Sequence, residues 1–176
     1  MSARLDIRQA TAEDVPVVLD FIRELAEYER LTHLLAITER QLAEELFGAN
    51  SSVETLLAHC DGEPAAFAVY FHNFSTFLGR KGLYLEDLYV RPAYRRRGYG
   101  RAMLVELARI AHERGCGRFE WTVLDWNKPA IDFYRSLGAD VLEDWRICRV
   151  TGAALEQLAE SAMPGRDPAL PPDPEE

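Results

Sequence analysis

Residues 83–101 have the sequence LYLEDLYVRPAYRRRGYGR, which predicts a strand, a turn and the start of a helix. Residues 83–90 are rich in Leu, Tyr and Val and predict the strand, and Pro92 ends it because proline has no N–H to donate. Gly98 and Gly100 then precede apolar residues at helical spacing. Glycines leave backbone N–H groups accessible, and a helix N-terminus adds unpaired donors and a positive dipole end. The pattern predicts a phosphate or pyrophosphate site.

A cluster of arginines strengthens this prediction. The cluster consists of Arg91, Arg95, Arg96, Arg97 and Arg101. It lies in a chain with 20 Lys and Arg against 29 Asp and Glu, a net charge of −9, so a local anionic ligand is indicated. The acidic balance disfavours nucleic acid as a partner. Two alternatives stay open at this point: the glycines form only a loop and a cap, or the arginines form a solvated turn. Walker A and Rossmann patterns are both absent.

Length and composition predict a globular protein. A chain of 176 residues, 48% hydrophobic and 28% charged, fits a single domain over residues 1–162, followed by a Pro-rich acidic tail, 163–176, that we expect to be disordered. Three cysteines without a CxxC pair argue against a disulfide framework or a zinc site, and the four histidines lack ligand spacing, so we predict no metal. Because no apolar signal or membrane segment is evident, we expect a soluble cytoplasmic protein with no membrane partner.

The hydrophobic pattern predicts a mixed α/β domain with the order β-α-α-β-β-β-α-β-α-β. Helices are expected to begin at Thr11 and Thr38, after Gly98, near Pro129 and near Thr151. Strands are expected at residues 5–8, 53–60, 65–74, 83–90, 119–124 and 145–150. Simple alternation along the strand at 83–90 places Glu86 and Asp87 on opposite faces, which favours a structural role for Asp87.

Two spaced motifs resemble those of the GCN5-related N-acetyltransferase superfamily. Arg95-x-x-Gly98-x-Gly100 resembles its Arg/Gln-x-x-Gly-x-Gly/Ala signature. Residues 127–134, with the sequence NKPAIDFY, resemble its second cofactor segment, Asn-x-x-Ala-x-x-Phe-Tyr. The resemblance implies a mixed, mostly antiparallel central sheet with flanking helices, in which a splayed pair of strands forms an acetyl-CoA cleft.

A narrower resemblance covers about residues 7–159. The chain is similar to the spermidine/spermine (diamine) N-acetyltransferase family at the patterns IRxAT from Ile7, ELAxYE from Glu24, LYLED from Leu83, WNxP from Trp126 and IxFY from Ile131. That family shares its pattern with enzymes that acetylate thialysine and related small amines. The resemblance therefore indicates the reaction more sharply than the substrate.

The resemblance also implies the site residues. Acetyl-CoA is expected to contact Leu88, Tyr89, Val90, Arg95, Arg96, Arg97, Gly98, Tyr99, Gly100, Arg101, Asn127, Lys128, Pro129 and Ala130. Glu86 is expected to accept a proton from the amine, and Tyr134 to protonate the coenzyme A thiolate. Spacing alone allows a solvated Glu86 and a core Tyr134. The amine site is expected to include Tyr28, Glu29, Glu86, Glu120, Trp121, Thr122 and Glu143, which alternatively are solvated or core residues.

Together these observations predict an N-acetyltransferase that transfers acetyl from acetyl-CoA directly to a primary amine of a small polyamine or diamine. One alternative is an acetyltransferase for thialysine or another amino-acid-like amine, and another is a non-catalytic sensor that binds coenzyme A. Relatives typically pair their C-terminal strands, so a homodimer is expected. Arg96 and Arg97 stand where close relatives carry smaller residues, at positions that vary across the superfamily.

Overall fold

The computed structural model describes residues 4–161 of the chain. The chain divides into two compact units, Met1–Leu124 and Asp125–Glu176. The predicted tail, 163–176, and the last residue of the predicted domain lie outside the described residues.

A five-stranded open sheet is the centre of the first unit. Its strands and helices, in chain order, are β1 Leu5–Gln9, α1 Val15–Glu29, α2 Glu39–Phe47, β2 Val53–Cys60, β3 Glu63–Ser75, β4 Arg80–Val90, α3 Tyr99–Glu113 and β5 Phe119–Trp121. The sheet order follows the sequence, with β1 to β4 antiparallel and β5 parallel to β4. The predicted α/β class with a mostly antiparallel sheet is confirmed.

Apolar residues at helical spacing hold the helices to the sheet. On one face, α1 buries Phe21, whose ring stacks on Phe67 of β3 with 5.1 Å between ring centroids. Val69 of β3 belongs to the same cluster. Tyr70 points to the opposite face, where Arg114 at the end of α3 lies over its ring. The sheet is therefore covered by α1 and α2 on one face and by α3 on the other.

The start of α2 shows how local sequence sets an element. The Thr38 hydroxyl accepts a hydrogen bond from the Gln41 backbone N–H, and the Gln41 side chain accepts one from the Thr38 N–H at 3.0 Å. This is a capping box, as the sequence predicts. The helix ends at Gly48, also as predicted.

One long side of β4 is left open. β5 pairs with only three residues of β4, namely Leu83, Tyr84 and Leu85. Residues 86–90 pair with β3 on one side, and no strand in residues 4–161 pairs with them on the other. Their outward backbone groups are therefore accessible for hydrogen bonding. β4 and β5 are the expected splayed pair.

The second unit contains α4 Lys128–Ser136 and α5 Ala153–Glu160. The strand predicted at 145–150 is wrong, because those residues form no strand and Trp145 and Ile147 are exposed. The predicted strand at 119–124 is shorter, since β5 ends at Trp121. Alternation of apolar residues cannot supply the neighbouring backbone groups that a strand requires, and the sequence pattern failed for that reason.

Candidate active site

The predicted anion site lies at the N-terminus of α3. Gly98 precedes the helix with φ of +85°, in the left-handed region that glycine adopts without a steric penalty. The first turn of α3 carries no acidic residue, and Ala102 donates the first intrahelical hydrogen bond, to the Gly98 carbonyl. The N–H groups of Tyr99, Gly100 and Arg101 therefore have no partner within the helix. This geometry fits a phosphate or pyrophosphate group.

The structure separates the arginine cluster into residues with internal roles and residues left for a ligand. Arg91 pairs with Glu24 of α1 at 2.9 Å and lies 4.3 Å over the centroid of the Phe21 ring, so its charge is already balanced. Arg96 and Arg101 are exposed, and no side chain in residues 4–161 pairs with either. Arg96 also adopts a left-handed φ of +59°, which is uncommon for a residue with a side chain and typical of functional loops.

Arg95 connects the loop to α1 and β4. Its guanidinium lies 4.8 Å from the ring centroid of Tyr28 and 5.2 Å from that of Tyr89. Its Nε donates to the Val90 carbonyl at 2.9 Å. Arg97 similarly lies over the rings of Tyr94 and Tyr99. These contacts orient the loop, and the guanidiniums of Arg95 and Arg97 keep their positive charge beside the helix N-terminus.

The open edge of β4 presents the backbone of the predicted cofactor strand. Leu88 and Tyr89 are paired on one side with Ala68 and Phe67 of β3. Successive residues of a strand direct their backbone groups to opposite sides, and Arg91 donates to Ala65 of β3, so the groups that face away from β3 in this stretch are those of Leu88 and Val90, where they can bond an amide-rich ligand. The Val90 carbonyl already accepts a hydrogen bond from Arg95. The backbone groups that remain available to a ligand along residues 88–90 therefore do not include that oxygen.

Glu86 occupies a β-bulge. Val69 of β3 pairs with Asp87 and Tyr70 pairs with Leu85, so Glu86 has no opposite residue on β3. A bulge interrupts the alternation of side chains along a strand. Asp87 consequently shares a face with Val69, which is the face covered by α1. Simple alternation therefore does not apply across this bulge, and the predicted structural role of Asp87 stays a prediction.

Three carboxylates meet where β4 approaches the end of α1. Asp87 is half-buried, and loss of hydration, followed by repulsion from Glu86 and Glu29, raises the pKa of Asp87 to about 7. Burial also raises the pKa of Glu29. No residue in the described part of the chain donates a hydrogen bond to Asp87 or forms an ion pair with it. The cluster of Glu29, Glu86 and Asp87 is an acidic patch suited to a cationic group.

Replacing Asp87 is expected to stabilise the fold in a pH-dependent manner. Because its folded pKa lies above its ordinary value of 3.8, the folded state binds this proton more tightly than the unfolded chain. Its contribution to stability is complete below about pH 4 and is lost as pH rises through 7. We expect Asp87→Asn to raise the free energy of unfolding by about 2 kcal/mol at pH 8, and by much less at pH 4.5. Urea unfolding at both values measures this, and an equal gain at both would contradict it.

The other predicted substrate residues of the first unit differ in their surroundings. Tyr28 is exposed beside Arg95, and its ring lies 6.3 Å from that of Tyr89. Trp121 contacts Phe119, and Thr122 is exposed after the end of β5. Glu120 accepts a hydrogen bond from the Asn73 amide at 2.5 Å and pairs with Arg118 at 3.0 Å. The Glu120 carboxylate is thus already used by its own chain, and its role in substrate binding stays a prediction.

The second unit holds the remaining predicted site residues. Asn127 immediately precedes α4, Lys128 and Pro129 begin it, and Ala130 follows in its first turn. Tyr134 is half-buried near the end of α4. Glu143 is exposed and pairs with Arg135 at 3.3 Å. The cofactor segment and Tyr134 therefore share one helix, as the motif predicts.

Among residues 4–161, no group of three or more His, Cys, Asp or Glu is placed to hold a metal ion. Within the same range, no helix has both the length and the apolar surface that a bilayer crossing requires.

Comparison with known families identifies this class of site. The model of the acetyltransferase (GNAT) family matches residues 19–139, which include the sheet edge, the loop before α3, and α4. The chain therefore belongs to the GNAT family of acetyltransferases.

The names of similar proteins indicate the kind of group that accepts the acetyl. The chain is 40% identical to the thialysine N-epsilon-acetyltransferase of Sus scrofa, over 87% of this chain and 96% of that protein. It is 34% identical to the L-ornithine N5-acetyltransferase of Arabidopsis thaliana, over 86% of each. It is also 34% identical to spermidine/spermine N(1)-acetyltransferase-like protein 1 of Homo sapiens, over 87% of this chain and 23% of that protein. The first two are named for acetylating an amine and the third for its likeness to such an enzyme, and the predicted similarity to the spermidine/spermine and thialysine enzymes is confirmed.

A solved structure supports the same fold. An integron cassette protein from the mobile metagenome of V. cholerae superposes with a TM-score of 0.75 at 30% identity, over 89% of this chain and 98% of that one. The protein is an acetyl-CoA-dependent acyltransferase that transfers an acetyl group to an amine, as predicted.

The face of the sheet on which Asp87 lies could not be predicted from the sequence. The Glu86-Asp87 doublet was visible, but the bulge that turns Asp87 towards α1 depends on the register between β3 and β4. An acidic doublet at the end of a strand that precedes the Gly-rich loop is the only sequence sign of it.

Proposed function

We propose that the enzyme acetylates a primary amine of a small polyamine or diamine. The observation that carries this proposal is the cluster of the carboxylates Glu29, Glu86 and Asp87 beside the open edge of β4. Carboxylates attract a cationic amine, and a long amine with further ammonium groups would gain from each. Tyr28 lies at the end of α1 beside this cluster, and Arg95 already contacts its ring.

An amino-acid-like amine such as thialysine or ornithine is the second candidate. The relatives named for those substrates favour it as strongly as the acidic cluster favours a polyamine. The two candidates differ in the α-carboxylate, which needs a cationic partner that a polyamine does not need. Arg91 is paired with Glu24 and unsuited to that task, which leaves Arg95 as the nearest guanidinium to Tyr28.

Acetyl-CoA would be held by the β4 edge and the α3 N-terminus. Leu88, Tyr89 and Val90 would bond its pantetheine amides, and the loop from Arg95 to Arg101 would hold its pyrophosphate. Asn127, Lys128, Pro129 and Ala130 would contribute from the start of α4. The absence of acidic side chains in the first turn of α3 fits this assignment.

The amine must lose a proton before it can attack. An alkyl ammonium has a pKa near ~10.4, so its deprotonation at neutral pH costs roughly 4–5 kcal/mol. Glu86, exposed at the bulge of β4, would accept this proton directly or through water. The neutral amine then attacks the thioester carbonyl carbon, and the C–S bond breaks as the amide forms. Tyr134 would donate its phenolic proton to the sulfur as it leaves, and the second proton that the nitrogen loses as the amide forms would return to the phenolate through solvent.

A turnover screen tests this proposal. Release of coenzyme A is followed with spermidine, spermine, putrescine, thialysine, ornithine and lysine at saturating acetyl-CoA. We expect the highest kcat/KM with a polyamine or diamine. A higher value for thialysine or ornithine would establish the second candidate, and no turnover with any of the six would overturn both.

We also propose that the enzyme is a homodimer in the cytoplasm. Large apolar side chains are exposed in the second unit at Leu142, Trp145, Ile147, Leu155 and Leu158, and a second copy would cover them. Sedimentation velocity at micromolar concentration is expected to give twice the 20.0 kDa of one chain. Trp145→Asp is expected to yield monomers, and a monomeric parent protein would contradict the proposal.

A further inference from the structure

The side chain of Arg97 lies against a small group of neutral side chains at the end of β2. Its Nη2 donates to the sulfur of Cys60 at 3.9 Å, a weak contact. Its guanidinium carbon lies 5.6 Å from the ring centroid of Tyr94 and 5.7 Å from that of Tyr99. Cys60 and Tyr99 are each only 5% exposed, and Tyr94 packs against them. These four residues, which we call the Arg97 cluster, are separate from the core between the sheet and α1.

Contacts within the Arg97 cluster hold the chain on both sides of Gly98. Tyr99 is the first residue of α3, and its hydroxyl bonds to Cys60; this hydrogen bond, followed by burial, raises the pKa of Tyr99. The rings of Tyr94 and Tyr99 also meet, with 5.8 Å between their centroids. Cys60 is therefore attached to the residue before Gly98 and to the residue after it. Both the Arg97 guanidinium and the start of α3 are fixed in this way.

The partners of Arg97 hold it without neutralising its charge. Arg91, by contrast, is paired with Glu24 at 2.9 Å. No carboxylate in residues 4–161 forms an ion pair with Arg97, and the Asp61 carboxylate accepts the Arg4 backbone N–H at 3.0 Å. A ring face and a thiol leave the full positive charge on a guanidinium. Arg97 is also exposed, so an anion can reach it.

A cation that is held in place before binding suits an anionic ligand for a second reason. A long, flexible side chain loses conformational entropy when a ligand immobilises it, and that loss weakens binding. Contacts with Cys60 and Tyr94 restrict the Arg97 side chain in advance. The restricted charge lies in the loop that precedes the unpaired N–H groups of α3, where the two can act on one ligand.

We propose that Cys60 and Tyr94 are positioning residues for coenzyme A, which hold the Arg97 guanidinium ready for the pyrophosphate. The inference rests on the proposed function, because it assumes that the pyrophosphate binds at this loop. Cys60 and Tyr94 act through Arg97 in this assignment and have no contact of their own with the coenzyme.

Isothermal titration with coenzyme A tests the assignment through a cycle of two substitutions. Arg97→Ala should weaken binding about 10-fold or more, because a charge-assisted contact is lost. Cys60→Val removes the sulfur and keeps a side chain of similar size. It should weaken binding about 5-fold, because Arg97 must then be ordered during binding. In the Arg97→Ala background, Cys60→Val should have almost no further effect, since the two changes remove the same contact.

Two further variants separate the sulfur from general damage to the fold. Cys60→Ser should restore much of the affinity, because a hydroxyl can accept the hydrogen bond from Arg97. Tyr94→Leu removes a ring beneath Arg97 and should weaken binding to a similar extent as Cys60→Val. Because Tyr94 lies outside β2, this variant also tests the inference if Cys60→Val fails to fold.

Thr55→Val is the matched control. Thr55 lies on the same strand as Cys60, is 4% exposed, and its hydroxyl has no hydrogen-bond partner in the described part of the chain. The change removes a buried polar atom that Arg97 does not contact. Coenzyme A affinity should therefore stay within about twofold of the parent value.

A substrate without phosphates provides a second readout. S-acetylpantetheine carries the thioester and the amide arm of acetyl-CoA but has no pyrophosphate for Arg97 to bind. Cys60→Val should therefore leave kcat/KM for S-acetylpantetheine unchanged while it raises KM for acetyl-CoA. Loss of active-site structure would lower both, and an equal loss with both substrates would contradict a positioning role.

The titrations also separate this inference from the proposed function. Equal losses from Cys60→Val in the parent and Arg97→Ala backgrounds would overturn the inference alone. Affinity within about twofold of the parent for both Cys60→Val and Tyr94→Leu would do the same, provided that Arg97→Ala and Gly98→Val weaken binding. If Arg97→Ala and Gly98→Val both leave the affinity unchanged, the pyrophosphate does not bind at this loop, and the proposed placement of coenzyme A fails together with the inference.

Discussion

Tyr134→Phe is expected to lower kcat by about 100-fold or more while leaving acetyl-CoA affinity unchanged. The change removes a single hydroxyl from a half-buried side chain on α4 and keeps the ring that contacts Phe133. The departing thiolate would then take its proton from water, and the barrier would rise. The measurement is the rate of thiol release at saturating amine.

Tyr84→Phe is the matched control for this prediction. Tyr84 is a half-buried tyrosine on β4 whose ring contacts Phe71, and it has no proposed role in the reaction. Its replacement should leave kcat within about twofold. Equal rates for Tyr134→Phe and the parent enzyme would remove Tyr134 as the acid.

Gly98→Val is expected to weaken acetyl-CoA binding by about 10- to 100-fold. The residue has φ of +85°, where a β-branched side chain costs roughly 1–2 kcal/mol or more. Nothing lies within 4 Å of a Cβ built there, so the effect comes from the backbone and not from a clash. A relaxed loop would turn the N–H groups of Tyr99 and Gly100 away from the pyrophosphate. Isothermal titration with coenzyme A measures the affinity.

Gly115→Val provides a control with equal strain. Gly115 follows the other end of α3, has φ of +68°, and likewise has nothing within 4 Å of an added Cβ. It should destabilise the fold by a similar amount and leave coenzyme A affinity unchanged. If both variants lost affinity equally, the loss would reflect general destabilisation and not the loop before α3.

The elements that sequence predicted well are those set by neighbouring residues. Thr38 and Gln41 define the start of α2, and the bounds of β2 agree with the predicted 53–60. The Gly-rich loop was found in the same way, because its function depends on a backbone conformation that Gly98 makes accessible.

What the sequence could not predict depends on contacts between distant residues. Arg91 was expected to serve an anionic ligand, but Glu24, 67 residues earlier, neutralises it. The face of Asp87 depends on the register of β4 against β3, and alternation within one strand cannot reveal it. The strand expected at 145–150 failed for the same reason, since a strand requires a partner.

The bulge at Glu86 has a further consequence for solubility. An exposed strand edge is a template on which other chains can add, and this is a common start of aggregation. An irregular backbone and a charge at that edge both discourage such addition. We therefore expect the bulge and the negative charge of Glu86 to discourage other chains from adding to the open edge of β4.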